Sequence, residues 1–256
     1  MIELRGVTKK FSVFTVVDGV SFTVRPGEVL GYLGPNGAGK TTTIRMLAGL
    51  LEPSKGEILF EGRPIRGDLY AFKKRLGYVP EQSEIYPHLS AYDYLTMVGR
   101  LRRLPARPLK DKIVGFMDVF GLHHDMDSAL ATYSKGMRQK VLIAAALLHD
   151  PDVLLLDEPL SGLDVTTALV VRDLIRKLAA ENKIIIYSSH VLEVTEQVCS
   201  RIIILHQGRV VANDSVANLR DLMHLPSLAE IFSQLVVHED TALAADRIVE
   251  TMKRNG

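Results

Sequence analysis

The chain contains Gly34-Pro35-Asn36-Gly37-Ala38-Gly39-Lys40-Thr41, a complete match to the pattern G-x-x-x-x-G-K-[ST]. Residues 28–33 before it have the pattern of a strand, and residues 42–50 after it have the pattern of a helix. Glycines in such a turn let backbone N–H groups curl around a phosphate without side-chain clash, and the helix dipole adds partial positive charge. The stretch therefore predicts a phosphate-binding loop (P-loop). In it, Lys40 reaches the β- and γ-phosphates of a nucleotide and the Thr41 hydroxyl binds Mg²⁺.

A second motif lies at the end of the apolar run Val153-Leu154-Leu155-Leu156, where Asp157 and Glu158 follow directly. In a parallel sheet these acids would lie at the carboxyl edge, where the P-loop also opens. Asp157 is then placed to hold Mg²⁺, directly or through water, and Glu158 to orient and polarise an attacking water beside the γ-phosphate. By themselves, two acids at a strand end are typical of a solvated cap. Together with a complete P-loop they indicate a hydrolytic site.

The wider pattern predicts an α/β domain. Continuous apolar runs, as expected for strands buried on both faces of a mainly parallel sheet, occur at residues 153–156, 184–187 and 202–205. A helical pattern over 163–180 lies between the first two, which gives the alternation of an α/β layered domain. Short, alternating, Gly-punctuated segments predict an antiparallel β-subdomain beside this core and lie at Ile2–Val7, Val16–Val24 and Lys55–Phe60.

Helical patterns replace the strand-like runs between residues 83 and 150, which predicts a helical subdomain inserted into the α/β core. A linker containing Pro105 and Pro108 is expected within it, followed by a helix over 110–120. The chain becomes helical again after Ala212.

The amino-acid composition limits the kinds of partner and of cellular environment that we expect for this chain. The 31 basic and 30 acidic side chains give a formal net charge of +1, which argues against an overall basic surface, and no nucleic-acid partner is expected. The single cysteine, Cys199, excludes an intrachain disulfide framework and fits a reducing cytoplasm. The longest apolar run, residues 141–148, is far shorter than the ~20 residues that cross a bilayer, and the N-terminus has no signal-peptide pattern. We therefore expect a soluble chain that reaches a membrane only through a partner.

A third motif, Tyr133-Ser134-Lys135-Gly136-Met137-Arg138-Gln139, lies upstream of Asp157. Serine and glycine at the start of a helical run can form an anion-binding helix N-terminus, although alone they are typical of an ordinary helix cap. With the P-loop and Asp157 in this order, the motif resembles the signature of the nucleotide-binding domains of ATP-binding-cassette (ABC) transporters, whose common form is Leu-Ser-Gly-Gly-Gln. Ser134 and Gly136 match that form, and the other three positions depart from it. The resemblance covers about residues 2–215.

Further elements resemble the same family. Ser161-Gly162-Leu163-Asp164 resembles its D-loop, which implies that Asp164 communicates across a dimer interface. His190 resembles the switch histidine that contacts the γ-phosphate and positions water. Phe11 matches the aromatic residue that stacks on adenine, with Phe14 as a substitute.

One segment departs from the family pattern. The family has Gln after an apolar or Pro residue, whereas this chain has Gly77-Tyr78-Val79-Pro80-Glu81-Gln82. In register, Glu81 occupies the Gln position and Gln82 lies one place later. Either side chain is a candidate to approach Mg²⁺, and a carboxylate would add negative charge near the γ-phosphate.

The resemblance implies ATP as the nucleotide and Mg²⁺ as the metal. Its ATP contacts correspond to Phe11, Gly34, Pro35, Asn36, Gly37, Ala38, Gly39, Lys40, Thr41, Thr42, Ser134, Gly136 and Asp164. Its metal contacts correspond to Thr41, Asp157, Glu81 and Gln82, and its catalytic residues to Glu158 and His190. The signature pair Ser134 and Gly136 is implied to contact the ATP held by a partner subunit's P-loop.

The fold implied is a RecA-like P-loop NTPase core with an antiparallel β-subdomain and an inserted helical subdomain, over residues 1–214, followed by a C-terminal helical extension over 215–256.

The function implied is that of an ATPase subunit at the cytoplasmic face of the cell membrane. It would pair with a second copy or a homologue around two ATP molecules and drive transport through separate permease subunits. The Tyr-Ser-Lys-Gly-Met form resembles that of export-type transporters.

Other functions remain open at the level of sequence. A soluble ABC-type ATPase acting on ribosomes or DNA is the main alternative. Such relatives usually carry two cassettes or a long coiled-coil insertion, and this chain has one cassette and no sustained heptad run. A module that senses nucleotide without hydrolysing it is disfavoured by the intact Lys40, Asp157, Glu158 and His190, although Glu81 keeps it open. A P-loop kinase or GTPase would not explain the signature and D-loop.

Overall fold

The computed structural model describes residues 1–82, 85–189, 191–225, 227–236 and 251–252. The strands are β1 (Ile2–Phe11), β2 (Phe14–Val24), β3 (Val29–Leu33), β4 (Lys55–Phe60), β5 (Arg63–Pro64), β6 (Leu76–Val79), β7 (Val153–Asp157), β8 (Ile184–Ser188), β9 (Arg201–His206) and β10 (Arg209–Asp214). The helices are α1 (Lys40–Leu47), α2 (Leu69–Lys74), α3 (Ala91–Leu101), α4 (Ala106–Val119), α5 (Lys135–Leu147), α6 (Val165–Ala180), α7 (Leu192–Val198), α8 (Val216–Met223) and α9 (Leu228–Val236).

A six-stranded sheet in the order β10-β9-β3-β8-β7-β6 forms the centre of the described chain. All its neighbouring pairs are parallel except β10, which runs antiparallel to β9. Every residue of β3, β7 and β8 is buried, and alternate residues of β7 and β8 belong to two different hydrophobic clusters, one on each face of the sheet. The predicted α/β core is confirmed. The parallel strands β3, β6, β7 and β8 place their carboxyl ends at one edge.

The N-terminal strands form a second, antiparallel sheet in the order β2-β1-β4-β5. Its inward side chains, among them Ile2, Leu4 and Ile58, share one hydrophobic cluster with Leu30 and Leu155 of the central sheet. The antiparallel β-subdomain predicted from the alternating N-terminal segments is confirmed. Because the two sheets have a common core, this subdomain holds a fixed position above the P-loop.

Helices α3, α4 and α5 lie between β6 and β7 in the chain and form the predicted helical insertion. Their contact is apolar, with Leu95, Ile113 and Met117 fully buried. Ser90 caps α3, since its Oγ accepts a hydrogen bond from the Asp93 backbone N–H at 3.0 Å.

The prediction for α4 was wrong at its start. The helix begins at Ala106, so Pro108, which we expected in a linker, lies in the first helical turn. Proline is tolerated there because the first N–H groups of a helix have no intrahelical acceptor. The short elements α2, α7, β5, β6 and β10 were not predicted.

The last described helices, α8 and α9, pack on the central sheet. Leu219 and Ile231 share a hydrophobic cluster with Leu33, Ile202 and Ile204 of β3 and β9. The expected division at residue 214 falls between the end of β10 and the start of α8. Among the described helices, none combines the length and the apolar character needed to cross a bilayer.

Arg75 connects the two sheets at the junction between α2 and β6. Its guanidinium donates to both carboxylate oxygens of Glu61, each at 2.8 Å, and its Nε donates to Asp152 Oδ2 at 2.5 Å. Its Cζ also lies 4.5 Å from the centroid of the Phe60 ring. The hydrogen bonds to Glu61 and then Asp152 hold the pKa of Arg75 above its usual value. One side chain therefore joins the end of β4 to the start of β7.

Replacing this side chain tests the connection. We expect Arg75→Met to lower the free energy of unfolding by about 1–2 kcal/mol, because two charge-assisted contacts are lost at a site that is partly screened by solvent. The matched control, Arg66→Met, removes a largely exposed arginine whose nearest carboxylate, Glu52, is 3.8 Å away. It should change stability by less than about 0.5 kcal/mol. Urea denaturation followed by circular dichroism measures both, and equal midpoints for the two variants would contradict the assignment.

Candidate active site

The P-loop joins β3 to α1 and closes around the Lys40 ammonium. Gly39 has a φ of 104°, and a β-carbon there would lie 2.7 Å from the Val16 carbonyl oxygen, so only glycine fits. Lys40 Nζ donates to the carbonyl oxygens of Gly34 at 2.7 Å and Pro35 at 3.1 Å. Backbone carbonyls of the loop thus hold the Lys40 ammonium. Charged phosphate oxygens form stronger hydrogen bonds with an ammonium than neutral carbonyls do, so they would replace these partners.

A cavity of about 400 Å³ opens in front of this loop. Its lining residues are Val16, Asn36, Gly37, Gly39, Lys40, Thr41, Thr42, Glu81, Asp157 and Glu158. Burial lowers the pKa of Lys40, and the nearby carboxylates of Glu158, Asp157 and Glu81 oppose that effect. The structure therefore brings the P-loop together with the acidic ends of β7 and β6, as the sequence predicted.

Asp157 is buried at the carboxyl end of β7, opposite Ser188 of β8. Its Oδ2 atom has no hydrogen-bond partner within the described part of the chain. Burial raises the pKa of this carboxyl to about 6, and the nearby Ser188 and Thr41 hydroxyls offset only part of that rise. A buried carboxylate oxygen without a donor fits a cation ligand, and an oxygen donor of this kind suits Mg²⁺.

Glu81 lies closer to this metal position than Gln82 does. The Thr41 hydroxyl donates to Glu81 Oε2 at 3.4 Å, and Glu81 lines the P-loop cavity. Gln82 is not among the residues that line the P-loop cavity, although it lines a neighbouring cavity of about 490 Å³ together with Thr41 and Glu81. Of the two candidates left open by the sequence, the geometry favours the carboxylate.

Glu158 begins the loop that follows β7, in a backbone conformation that few non-glycine residues adopt. Its φ is 52°, and its backbone N–H donates to the Ser188 carbonyl oxygen at 2.9 Å. Ser189 Oγ lies 3.4 Å from Glu158 Oε2 and donates to it. The strained backbone and these contacts turn the carboxylate towards the cavity it lines, where it can accept a proton from water.

The signature and D-loop residues lie elsewhere. Ser134 caps α5, since its Oγ accepts from the Met137 backbone N–H at 3.2 Å. Asp164 caps α6 and accepts from the Thr167 N–H at 2.9 Å, which holds the pKa of Asp164 well below its usual range. Ser134, Gly136 and Asp164 are not among the described residues that line the P-loop cavity. Within one chain they do not meet the phosphate-binding residues.

The expected adenine-stacking residue lies at the tip of the β1–β2 hairpin. Phe11 pairs with Phe14 there, and both rings are exposed, by 46% and 73%. Neither is among the residues lining the P-loop cavity, whereas Val16 from the same hairpin is. Sequence reasoning missed Val16, because only the packing of the hairpin over the P-loop distinguishes it from other strand valines. His190 lies outside the described residues.

Known proteins resemble this chain along most of its length. The family model described as "ABC transporter" matches residues 17–161. The uncharacterised ABC transporter ATP-binding protein YhcH of Bacillus subtilis is 42% identical over 86% of this chain and 71% of its own length. The ABC transporter ATP-binding protein NatA of the same organism is 38% identical over 93% and 98%. The Nod factor export ATP-binding protein I of Ralstonia nicotianae is 36% identical over 83% and 66%.

Solved structures share the fold. The structure of an ATP-binding subunit of an ABC transporter superposes with a TM-score of 0.86, at 30% identity, over 92% of this chain and 99% of that one. A dimeric ATP-binding cassette in a post-hydrolysis state, bound to ADP and Pi, superposes with a TM-score of 0.79 at 23% identity, over 84% and 98%, and supports the fold alone. Besides this similarity in sequence and fold, the chain has a P-loop cavity that is lined by Asp157 and Glu158. The chain belongs to the ABC transporter family, as an ATP-binding subunit that hydrolyses ATP.

Proposed function

We propose that this subunit drives export through separate permease subunits and acts in pairs, with two ATP molecules held between two cassettes at the cytoplasmic face of the membrane. The observation that carries the proposal is a P-loop cavity that is lined by Lys40, Asp157 and Glu158 but, among the described residues, by no signature residue of the same chain. The lean to export comes from the Tyr-Ser-Lys-Gly-Met signature form, and the resemblance to a Nod factor export ATP-binding protein supports it.

In this proposal five of the side chains that line the cavity act on the phosphates, the metal or the attacking water. Lys40 exchanges the carbonyls of Gly34 and Pro35 for the β- and γ-phosphates. Asp157, Thr41 and Glu81 would hold Mg²⁺, which would supply positive charge to offset the negative charge that develops on the phosphates. Glu158 accepts a proton from the attacking water and orients it towards the γ-phosphate.

Pairing explains where the signature lies. Ser134 and Gly136 begin α5, and Asp164 begins α6, so both helix N-termini are candidates to face a second cassette. In a two-fold pair each P-loop would meet the partner's signature, and the γ-phosphate would join the halves. Loss of that phosphate on hydrolysis would let the halves separate, which is a ligand-driven shift between two states.

A groove beside the helical insertion suits a membrane subunit. It has a volume of about 310 Å³ and is lined by Ala48, Leu50, Tyr70, Lys73, Lys74, Leu76, Tyr78, Leu101 and Arg102. Leu50, Tyr70 and Leu101 are each more than half exposed, and the charged lining residues are all basic. The groove shares Leu50 and Tyr78 with the cavity beside Thr41 and Glu81. An apolar segment with acidic flanks would fit there, next to the metal position.

The first prediction from this proposal concerns the water-activating carboxylate. Glu158→Gln should lower ATP turnover by at least about 100-fold, because an amide cannot accept the proton. The variant should also accumulate as an ATP-bound dimer, seen as earlier elution in size-exclusion chromatography with light scattering. ADP in place of ATP is the control and should leave the monomer. Turnover at the wild-type rate would remove Glu158 from the mechanism.

The second prediction separates the two candidates after β6. With a non-hydrolysable ATP analogue present, Glu81→Gln should weaken Mn²⁺ binding by about tenfold, because a neutral amide replaces a charged oxygen ligand. Gln82→Ala should leave Mn²⁺ affinity within about twofold. Electron paramagnetic resonance titration of free Mn²⁺ measures both. The reverse order of effects would assign the metal contact to Gln82.

The third prediction tests the membrane partner. The tagged chain, expressed in its source cells and purified from membranes in mild detergent, should carry a stoichiometric multi-span protein identified by mass spectrometry. The double variant Lys73→Glu/Lys74→Glu should lose that protein, because both changes reverse charge in the groove. The control Lys110→Glu/Lys177→Glu, on α4 and α6, should retain it. Recovery of the wild type only from the soluble fraction, with ribosomal proteins or nucleic acid attached, would reject the transporter proposal.

A further inference from the structure

The signature of this chain carries a lysine at its third position, where the common form has glycine, and that lysine contacts the D-loop of the same chain. Lys135 Nζ donates to Ser161 Oγ at 2.7 Å. A β-carbon on Gly162 would lie 3.2 Å from both Cγ and Cδ of Lys135, so the aliphatic stem covers the Gly162 backbone. A glycine at position 135 could make neither contact.

Other residues of α5 contact the same loop, which spans residues 159–164. Gln139 Nε2 is buried and donates to the Pro159 carbonyl oxygen at 3.1 Å. Lys140 Nζ lies 3.2 Å from Asp164 Oδ2. A β-carbon on Gly136 would lie 2.3 Å from the carbonyl oxygen of Gly162, so the two backbones approach closely. The first two turns of α5 therefore contact the loop from its first residue to its last.

This loop begins directly after Glu158, so a shift of the loop would move the backbone that carries that carboxylate. Glu158 has a φ of 52°, a conformation that costs free energy and persists only where the surroundings hold it. Lys135, Ser161 and Glu158 line one cavity of about 500 Å³. Lys135, the side chain it contacts and Glu158 therefore face the same space.

We propose that Lys135 is a positioning residue for ATP hydrolysis. Through Ser161 and Gly162 it holds the loop after Glu158 against the N-terminus of α5, so that the signature helix and the water-activating carboxylate move as one unit. When the start of α5 engages a nucleotide on the partner cassette, the displacement reaches Glu158 through this contact. The inference rests on the proposed role of Glu158.

Steady-state ATP turnover of the full chain tests it. Lys135→Met, which keeps the stem and removes the ammonium, should lower kcat by about five- to tenfold, the factor that one hydrogen bond contributes. Ser161→Ala removes the acceptor and should do the same. KM for ATP should stay within about twofold in both, because neither residue is among those lining the P-loop cavity. Lys135→Arg, which retains a donor, should restore most of kcat.

The double variant Lys135→Met/Ser161→Ala makes the test specific. If the two side chains act through their mutual hydrogen bond, the double variant has the kcat of either single variant. Multiplied losses would overturn the proposal. So would a raised KM in Lys135→Met with a normal Ser161→Ala, which would make Lys135 a direct phosphate ligand. Wild-type kinetics in both single variants would overturn it as well.

The Glu158→Gln variant distinguishes a failure of this inference from a failure of the proposed function. If Glu158→Gln forms the ATP-bound dimer while the Lys135 and Ser161 variants behave as wild type, only the positioning role fails. If Glu158→Gln hydrolyses ATP at the normal rate, the proposed mechanism itself fails. Circular dichroism of each variant should match the wild type, because Lys135 is exposed and Ser161 is only half-buried, and a match shows that a change in kcat does not reflect unfolding.

Discussion

The charge balance around Lys40 is the constraint on which the rest of the site depends. One partly buried ammonium faces Asp157, Glu158 and Glu81, and burial of Asp157 leaves one of its oxygens without a hydrogen bond among the described residues. Such a group of acids around one cation is costly unless further positive charge arrives. A nucleotide that enters with a divalent cation supplies that charge and gives Lys40 its phosphate partners. The cation therefore complements the acids, and the phosphates complement Lys40.

The topology needed to create this balance follows from simple rules. Strands β3, β6, β7 and β8 are parallel and end at one edge, so residues far apart in sequence, such as Lys40, Glu81 and Asp157, line the same cavity. Continuous apolar runs were sufficient to predict three of the central strands, because a strand buried on both faces has no polar positions. The P-loop pattern and the acids at the carboxyl end of β7 then located the site, since backbone and charge requirements restrict which residues fit.

What could not be predicted depends on contacts between distant segments. The sequence left Glu81 and Gln82 as equal candidates, and the contact of Glu81 with Thr41 and its place in the P-loop cavity distinguish them. The contact between Lys135 and Ser161 joins two motifs whose patterns contain no sign of it. Pro108 was placed in a linker because proline usually interrupts a helix, although the first turn accepts it. Val16 required knowledge of how one hairpin packs over the P-loop.

The shared core of the two sheets affects the order in which parts of the molecule unfold. Side chains from β1 and β4 belong to the same hydrophobic cluster as those from β3 and β7, and Arg75 bridges both sheets. A subdomain packed in this way has no separate hydrophobic interior, so it cannot open while the central sheet remains intact. The hairpin that supplies Val16 and the P-loop that supplies Lys40 therefore belong to one cooperative unit. Buried amide hydrogens of β1 and β3 should therefore exchange with solvent together, through the unfolding of that unit.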